Sequence, residues 1–354
     1  MSTTINYAVK YAPQVDLRFT QGALSTPFVN QNFNWIGVQT VKVFSRNLAT
    51  LNNYTASGSN RYGTPDELGN AVQEMTLTQD KSFTYTIDKK TEQDTMGTME
   101  AAATLAENID NVMIPHLDAY RFGVIAANAP TAGSISGVSH IVTSVATKSN
   151  AYEIFLSLQE KLDNDNVPVG GRVAAVTPAF HNLLKLDENF IKRGDLSQEM
   201  LLNGQVGEVD GVPIIKVPAS RMPTGVDLII TNPIATPAPI KLDEFKIHTD
   251  APGISGSLVE ARFRFDTFVL NKKKDAIAIH KTLYSVTVSN DGHGTATASP
   301  ASGGAGTEVT LTATPASGYI FDKWVVVSGG VTVANNKFTI GASDVTVQAT
   351  FKTE

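Results

Sequence analysis

Apolar positions along this chain follow three different rhythms. Between Thr91 and Ala129 they recur at steps of three and four, through Met96, Met99, Ala102, Ala103, Ala106, Ile109, Met113, Leu117, Tyr120 and Val124. That spacing predicts one long helix with a single apolar stripe. At about 1.5 Å per residue it would span roughly 50 Å, about three times the usual helix of a globular domain. Thr91 and Asp94 stand at capping-box spacing for its start. Pro115 lies inside the stripe. It deletes the bond to the Asn111 carbonyl and should kink the helix without ending it, because the apolar spacing continues past it.

On either side the period is two. Val41 and Val43 alternate with Thr40, Lys42 and Phe44. A return arm alternates Met75 and Leu77 with Thr76 and Thr78, then Phe83, Tyr85 and Ile87 with Thr84 and Thr86. Both arms read as strand. Between them lies a long polar stretch rich in Gly, Asn and Ser, a connection too long for a compact domain unless it is functional. A long hairpin with a polar tip cannot bury its own faces, so it must pack on another surface. Ahead of it, Met1 to about Asn34 is weakly periodic and reads as an extended arm that also lies on something else.

After the spine, a loop-like connector leads to a second helix at about Asn150 to Leu162 and a short buried strand in GGRVAAVTP. Thr177 can cap a helix that carries Pro178 at its first position and runs through Phe180, Leu183 and Leu184. GVPIIKVP and VDLIITNP add two strands, making a mixed α/β lobe, and PIATPAPIKL is a crossing that should stay extended. From Leu258, Val259, Ala261, Phe263 and Phe265 face one way, and Glu260, Arg262, Arg264 and Asp266 the other. DAIAIHK follows, and these two strands should form a sheet with one face on the spine. At Tyr284 the third rhythm begins: short Thr- and Val-rich strands separated by turns, SVTVS, GTATASP, TEVTLTATP, FDKWVVVSG, KFTI and DVTVQATFK. These predict a small all-β module with Tyr319, Phe321 and Trp324 in its core.

Composition narrows the picture. A chain of 354 residues has material for two or three domains. Net charge is −6, which does not mark a general nucleic-acid binder. There is no cysteine, which excludes disulfides and thiolate metal sites and fits a reducing compartment. The first residues lack the basic and apolar regions of a signal peptide, and no run has the length of a membrane span.

No constellation supports an enzyme, and no catalytic, cofactor or metal residue is assigned. Among His116, His140, His181, His248, His280 and His293, no two stand three or four apart as a helical metal pair would. No nucleophile elbow, phosphate loop or dinucleotide fingerprint occurs. Glu107, Asp110 and Asp118 read as a solvated or intersubunit helix face. Arg193-Gly194-Asp195 reads as a chance tripeptide, and Lys272 to Lys274 as a solvated basic tip.

The order of parts resembles the major capsid protein of tailed bacteriophages, the Hong Kong 97 fold: an α+β chain with arm, extended hairpin opening at Trp35-Ile36-Gly37-Val38, spine helix, axial lobe and closing sheet. The stretch Lys81 to Asp88 leading into Met99 to Phe122 is similar to capsid proteins of phages of Gram-positive hosts. The resemblance implies an N-terminal arm (1–34), an extended hairpin loop (35–90), a peripheral domain (91–148 and 243–283) and an axial domain (149–242). Intersubunit residues would include Arg46, Asn53, Tyr54, Arg61 and Tyr62. It implies pentamers and hexamers of this chain in a virion shell assembled in the host cytoplasm, with non-specific contact to packaged double-stranded DNA, a portal, and a head protease or none. Some members cross-link the hairpin through a Lys–Asn isopeptide bond; no lysine lies between Lys42 and Lys81, so locking here should be non-covalent. The chain starts without a long charged helical prefix, which favours a separate scaffolding protein. The last part, 284–354, resembles an Ig-like bacterial repeat of the internalin-B type, carried by Gly318-Tyr319, Phe321 and Trp324 after TEVTLTATP. It would decorate the shell's exterior, with weak host-surface glycan binding as its sharper role. An encapsulin-like compartment of the same fold is the nearest rival, and a surface adhesin a more distant one.

Overall fold

The computed structural model describes residues 22–33, 35, 39–65, 67–95, 100–187, 207–249 and 251–354. Most of the arm, Ile36 to Val38, the stripe positions Met96 and Met99, and the Arg193-Gly194-Asp195 tripeptide lie outside the described residues.

In chain order, β1 (Thr40–Arg46), β2 (Asn70–Thr76) and β3 (Gln79–Asp88) come first. Helices α1 (Lys89–Asp94), α2 (Ala101–Asn108) and α3 (Ile114–Ala127) follow. Next come β4 (Ile141–Thr143), α4 (Ala151–Asn164), β5 (Val173–Val176) and α5 (Pro178–Leu186). Strands β6 (Glu208–Val209), β7 (Val212–Lys216), β8 (Val226–Thr231), β9 (Ile240–His248), β10 (Gly256–Phe265) and β11 (Ile277–Lys281) complete the central part. The last stretch is all strand: β12 (Tyr284–Asn290), β13 (Gly294–Ser299), β14 (Ser302–Gly303), β15 (Glu308–Pro315), β16 (Tyr319–Ser328), β17 (Lys337–Thr339) and β18 (Val345–Thr353).

The spine is shorter than its periodicity predicts. Its first turn is a separate helix, α1, capped by Asp88 and not Thr91: the Asp88 carboxylate accepts the Lys90 N–H at 2.8 Å. The Thr95 hydroxyl then donates back to the Thr91 carbonyl at 2.7 Å, and Glu100 is extended, with ψ 132°, so that α2 starts afresh at Ala101. From Ala101 the chain stays helical to Ala127, about 40 Å. Between α2 and α3 lies a π-helical turn, Ile109–Met113, in which the Ile114 N–H reaches the Ile109 carbonyl. This wide turn sits directly before Pro115, over the carbonyls its ring would otherwise strike.

The buried face is also rotated from the expected stripe. Ala102, Ala103 and Ala106 are exposed, whereas Ala101, Leu117, Asp118, Arg121, Phe122, Ile125 and Ala126 are buried. Two charged residues therefore lie where a hydropathy pattern assigns solvent.

The chain divides into two compact units, one holding 29–114 and 236–273, the other 23–28, 115–235 and 274–354. In the first, β1 and β2 pair antiparallel from Thr40 opposite Thr76 to Arg46 opposite Asn70. The expected return arm is two strands in two sheets: β3 leaves β2 and joins a sheet of order β3-β10-β9. The break falls at Thr78, whose N–H and hydroxyl both donate to the Asp266 carboxylate, at 2.7 and 3.0 Å. Helix α2 covers part of this sheet through Ala101 and Leu105 against Ile87, Val259 and Tyr85. The other face carries charge, including a two-point ion pair of Arg262 with Asp80.

In the second unit, a six-stranded sheet of order β4-β11-β8-β5-β7-β6 carries α4 and α5. Phe155, Leu158, Leu162, Val176, Phe180, Leu184 and Ile230 form its core. Thr177 caps α5 as expected, accepting the Phe180 N–H. Strand β11 belongs to this sheet, between β4 and β8, and does not pair with β10 as its position in the chain suggests.

The terminal module has every strand the sequence predicts, arranged as β14-β12-β18-β16 and β13-β15-β17. Its centre is aliphatic with one ring: Val286, Val309, Leu311, Phe338, Ile340, Val345 and Val347. The expected core aromatics are only half-buried. Trp324 packs on the edge of this centre and donates its indole N–H to Asn336. Phe321 lies between Trp324 and Phe351, and Tyr319 stacks on His293 at 4.2 Å.

Candidate functional site

The hairpin of β1 and β2 is anchored at its base and bare at its tip. Its base packs Met75 and Leu77 with Trp35 and Leu270, flanked by Val41 and Val43, and Trp35 stacks on Phe268 at 5.3 Å. The Gln73 amide bridges to the following segment, donating to the Val269 carbonyl and accepting the Asn271 N–H, both at 2.8 Å. Lys42 and Glu74 form an exposed cross-strand ion pair, the type worth at most about 1 kcal/mol.

Residues 47–69 form the tip. The Asn47 N–H closes its neck on the Gly69 carbonyl, and the Thr55 N–H reaches the Arg61 carbonyl. Asn60 and Gly63 take positive φ, letting the chain reverse within a few residues. Tyr54 and Tyr62 meet edge to face at 5.2 Å, and Arg61 donates to the Gly58 carbonyl. Of the residues expected between subunits, Tyr54, Arg61 and Tyr62 thus come together as a small self-bracing knot; Arg46 ends β1 and Asn53 lies exposed beside Tyr54. The tip also displays apolar residues absent from the expected set. Leu48 is 91% exposed and Leu51 102%. The leucines stand plainly in the sequence, but the polar composition around them obscures their exposure.

A second feature was missed because its residues are charged. Asp118 on α3 is fully buried, which corrects its reading as a solvated face. Its carboxylate accepts the Leu24 and Ser25 N–H groups at 3.0 Å each and pairs with Arg221 at 2.8 Å. Arg121, one turn on, donates to the Ser25 hydroxyl at 3.0 Å, and burial pushes its guanidinium below its usual value despite the Asp118 charge. Phe28 meets Phe122 edge to face. Together these contacts pin 23–28, the root of the arm, to the spine.

A third buried polar centre gathers His140, Asp165 and Asp275, whose ligand-type atoms lie within 4.8 Å of one another. The His140 nitrogens face the Ile277 carbonyl at 3.1 Å and Asp165 at 2.7 Å. Asp165 also accepts the Ile135 and Ser136 N–H groups and the Ser136 hydroxyl. Burial alone would raise its pKa, but the bonds from Ser136, His140 and Ile135 outweigh burial and hold it well below the usual carboxylate range. Gly133 passes so close to this carboxylate that a Cβ would overlap it. Both imidazole nitrogens are engaged, and the cluster ties the 133–140 loop to Asp165 and to the Ile277 carbonyl.

The fold is shared with solved phage capsids. The chain superposes on the capsid of the cyanophage P-SCSP1u with TM-score 0.63 and 15% identity, covering 78% of this chain and 93% of that one. The mature capsid of bacteriophage PhiM1 gives 0.60 and 12%, covering 78% and 92%. Mycobacterium phage Che8 gives 0.58 and 15%, covering 78% and 98%. Residues 284–354 match the model of the divergent InlB B-repeat domain. No curated protein matches. Among the described residues no helix is long and apolar enough to cross a membrane.

Proposed function

We propose that this chain is the major capsid protein of a tailed phage, building the icosahedral shell around the double-stranded DNA genome. The observation that carries this reading is the bare hairpin tip on a fold shared with phage capsids. Leucines as exposed as Leu48 and Leu51 lose hydrophobic free energy in every state that leaves them in water, about 1.5–3 kcal/mol for each full side chain. Sister copies of the chain are the partner that supplies burial in a self-assembling shell. Many such modest contacts suit a shell, because misplaced subunits can still leave.

The same reading gives the other parts their roles. The arm, 1–34, runs along adjacent subunits from its root on Asp118. Residues 149–242 meet their copies at capsomer centres, and 91–148 with 243–283 form the periphery beneath the hairpin loop, 35–90. A separate scaffolding protein guides assembly, and contact with DNA is at the level of its backbone. The module at 284–354 decorates the outside, its half-buried Tyr319, Phe321 and Trp324 offering rings suited to weak glycan stacking.

The test is expression of the full chain with the scaffolding protein of its own genome, followed by electron microscopy. Closed shells are expected, and Leu48→Glu with Leu51→Glu should abolish them while leaving the monomer's unfolding temperature within a few degrees. A chain that stays monomeric under all assembly conditions overturns the reading. Particles isolated with an enzyme cargo and no genome favour a compartment instead.

A further inference from the structure

Among the described residues the sheet β3-β10-β9 ends in an unpaired edge at β9, which pairs only with β10. Its outer row of N–H and C=O groups is a template for a further strand. The side chains of β9 alternate: Phe245 and Ile247, each 38% exposed, continue the apolar face of Ala261 and Val259, to which they are opposite. Glu244 and Lys246 stand on the charged face beside Arg262 and Glu260, paired with each other and half-exposed. Helix α2 contacts β3 and β10 on the apolar side, so the apolar row at β9 is left partly bare.

The arm contains a segment of matching pattern. Val15, Leu17 and Phe19 alternate with Asp16 and Arg18. These residues precede the root at Leu24 and Ser25, which Asp118 holds. Laid antiparallel along β9 with Leu17 opposite Phe245, this segment puts Val15 opposite Ile247 on the apolar face. The same register puts Asp16 opposite Lys246 and Arg18 opposite Glu244 on the charged face. A parallel arrangement would set Asp16 against Glu244 and Arg18 against Lys246. A slip of one residue would turn every apolar side chain to the wrong face.

We propose that Val15–Phe19 of a sister copy adds to β9 as an antiparallel strand in this register. The proposal rests on the shell reading for its choice of a sister copy over the chain's own arm. Backbone bonds and the apolar row supply the affinity. Exposed cross-strand charges contribute little to it, so Asp16 and Arg18 select direction and register.

The chain has no cysteine, which makes the test clean. Protein carrying Leu17→Cys is mixed with protein carrying Phe245→Cys under assembly conditions and oxidised mildly. Opposed residues of an antiparallel pair lie within disulfide reach. A cross-linked dimer is expected at more than ten times the yield from Arg18→Cys mixed with Phe245→Cys, which face opposite ways. Independently, Asp16→Lys with Arg18→Glu should slow assembly on the order of tenfold, and adding Glu244→Lys with Lys246→Glu should restore it. Shells that form normally with no Leu17–Phe245 cross-link overturn the strand addition and leave the shell reading standing. A cross-link found only within single chains carrying both cysteines overturns the sister-copy assignment. Failure of both shells and cross-link overturns both.

Discussion

Asp118 shows what a single side chain can decide here. Removing one partner of a buried ion pair leaves the other charge without compensation, at a cost of about 3–5 kcal/mol. Asp118→Ala should lose stability on the order of a few kcal/mol by chemical denaturation, because its ion pair to Arg221 and its bonds to the Leu24 and Ser25 N–H groups are lost together. The same variant should free the root of the arm, read as faster amide exchange at Leu24 and Ser25. Asp165 gives a pH-dependent counterpart. Its folded pKa lies below the unfolded value of about 3.9, so the folded state binds fewer protons and gains stability as pH rises through that window. The contribution is fully present at neutral pH and fades as pH falls below about 4. Asp165→Asn should therefore be less stable than the parent protein at pH 7, and the gap should narrow in acid denaturation curves taken progressively below pH 4.

At the scale of elements, the attachment of the terminal module is specific. The chain passes from β11 to β12 through Thr282 and Leu283 alone. Gly225, at the turn before β8, touches Gly304 of the module so closely that a Cβ on either would overlap the other's backbone. The Thr282 N–H donates to the Gly225 carbonyl at 2.9 Å, and the Thr282 hydroxyl bonds Asp227. The module is thus seated against the lobe and does not hang on a tether. Gly304→Val should force the two backbones apart without unfolding either part. Limited proteolysis near Leu283 should then release 284–354 at least several times faster than from the parent. The spine makes a related point about local chemistry. Glu100 interrupts the helix where apolar spacing continues, because an extended backbone cannot carry a helix whatever its hydropathy.

For the whole molecule, the expectation is a shell locked without covalent bonds. With no lysine in the hairpin between Lys42 and Lys81, boiled particles on a denaturing gel should run as a single band near 37.8 kDa. A ladder of multiples would contradict this. Deleting 284–354 should leave particle formation intact, since the module's centre of Val309, Phe338 and Val347 is its own. Loss of shells on deletion would make the module structural instead of decorative.

How far the sequence reaches depends on the range of the interaction. Alternation along β10, the strands of the module, the Thr177 cap before Pro178 and the long polar hairpin tip were all legible, because each is set by neighbours a few residues away. Pairing was not. Strand β3 follows β2 directly yet pairs with β10, and β11 follows β10 yet lies between β4 and β8. Nor could periodicity find the true face of the spine, since Asp118 and Arg121 look like solvent residues until Ser25 and Arg221 arrive from far along the chain. The sequence by itself determined most of the segments that are strand and helix. Only the tertiary structure decided which strands meet and which charges are buried, because buried charge and sheet pairing are stabilised by groups that become neighbours only on folding.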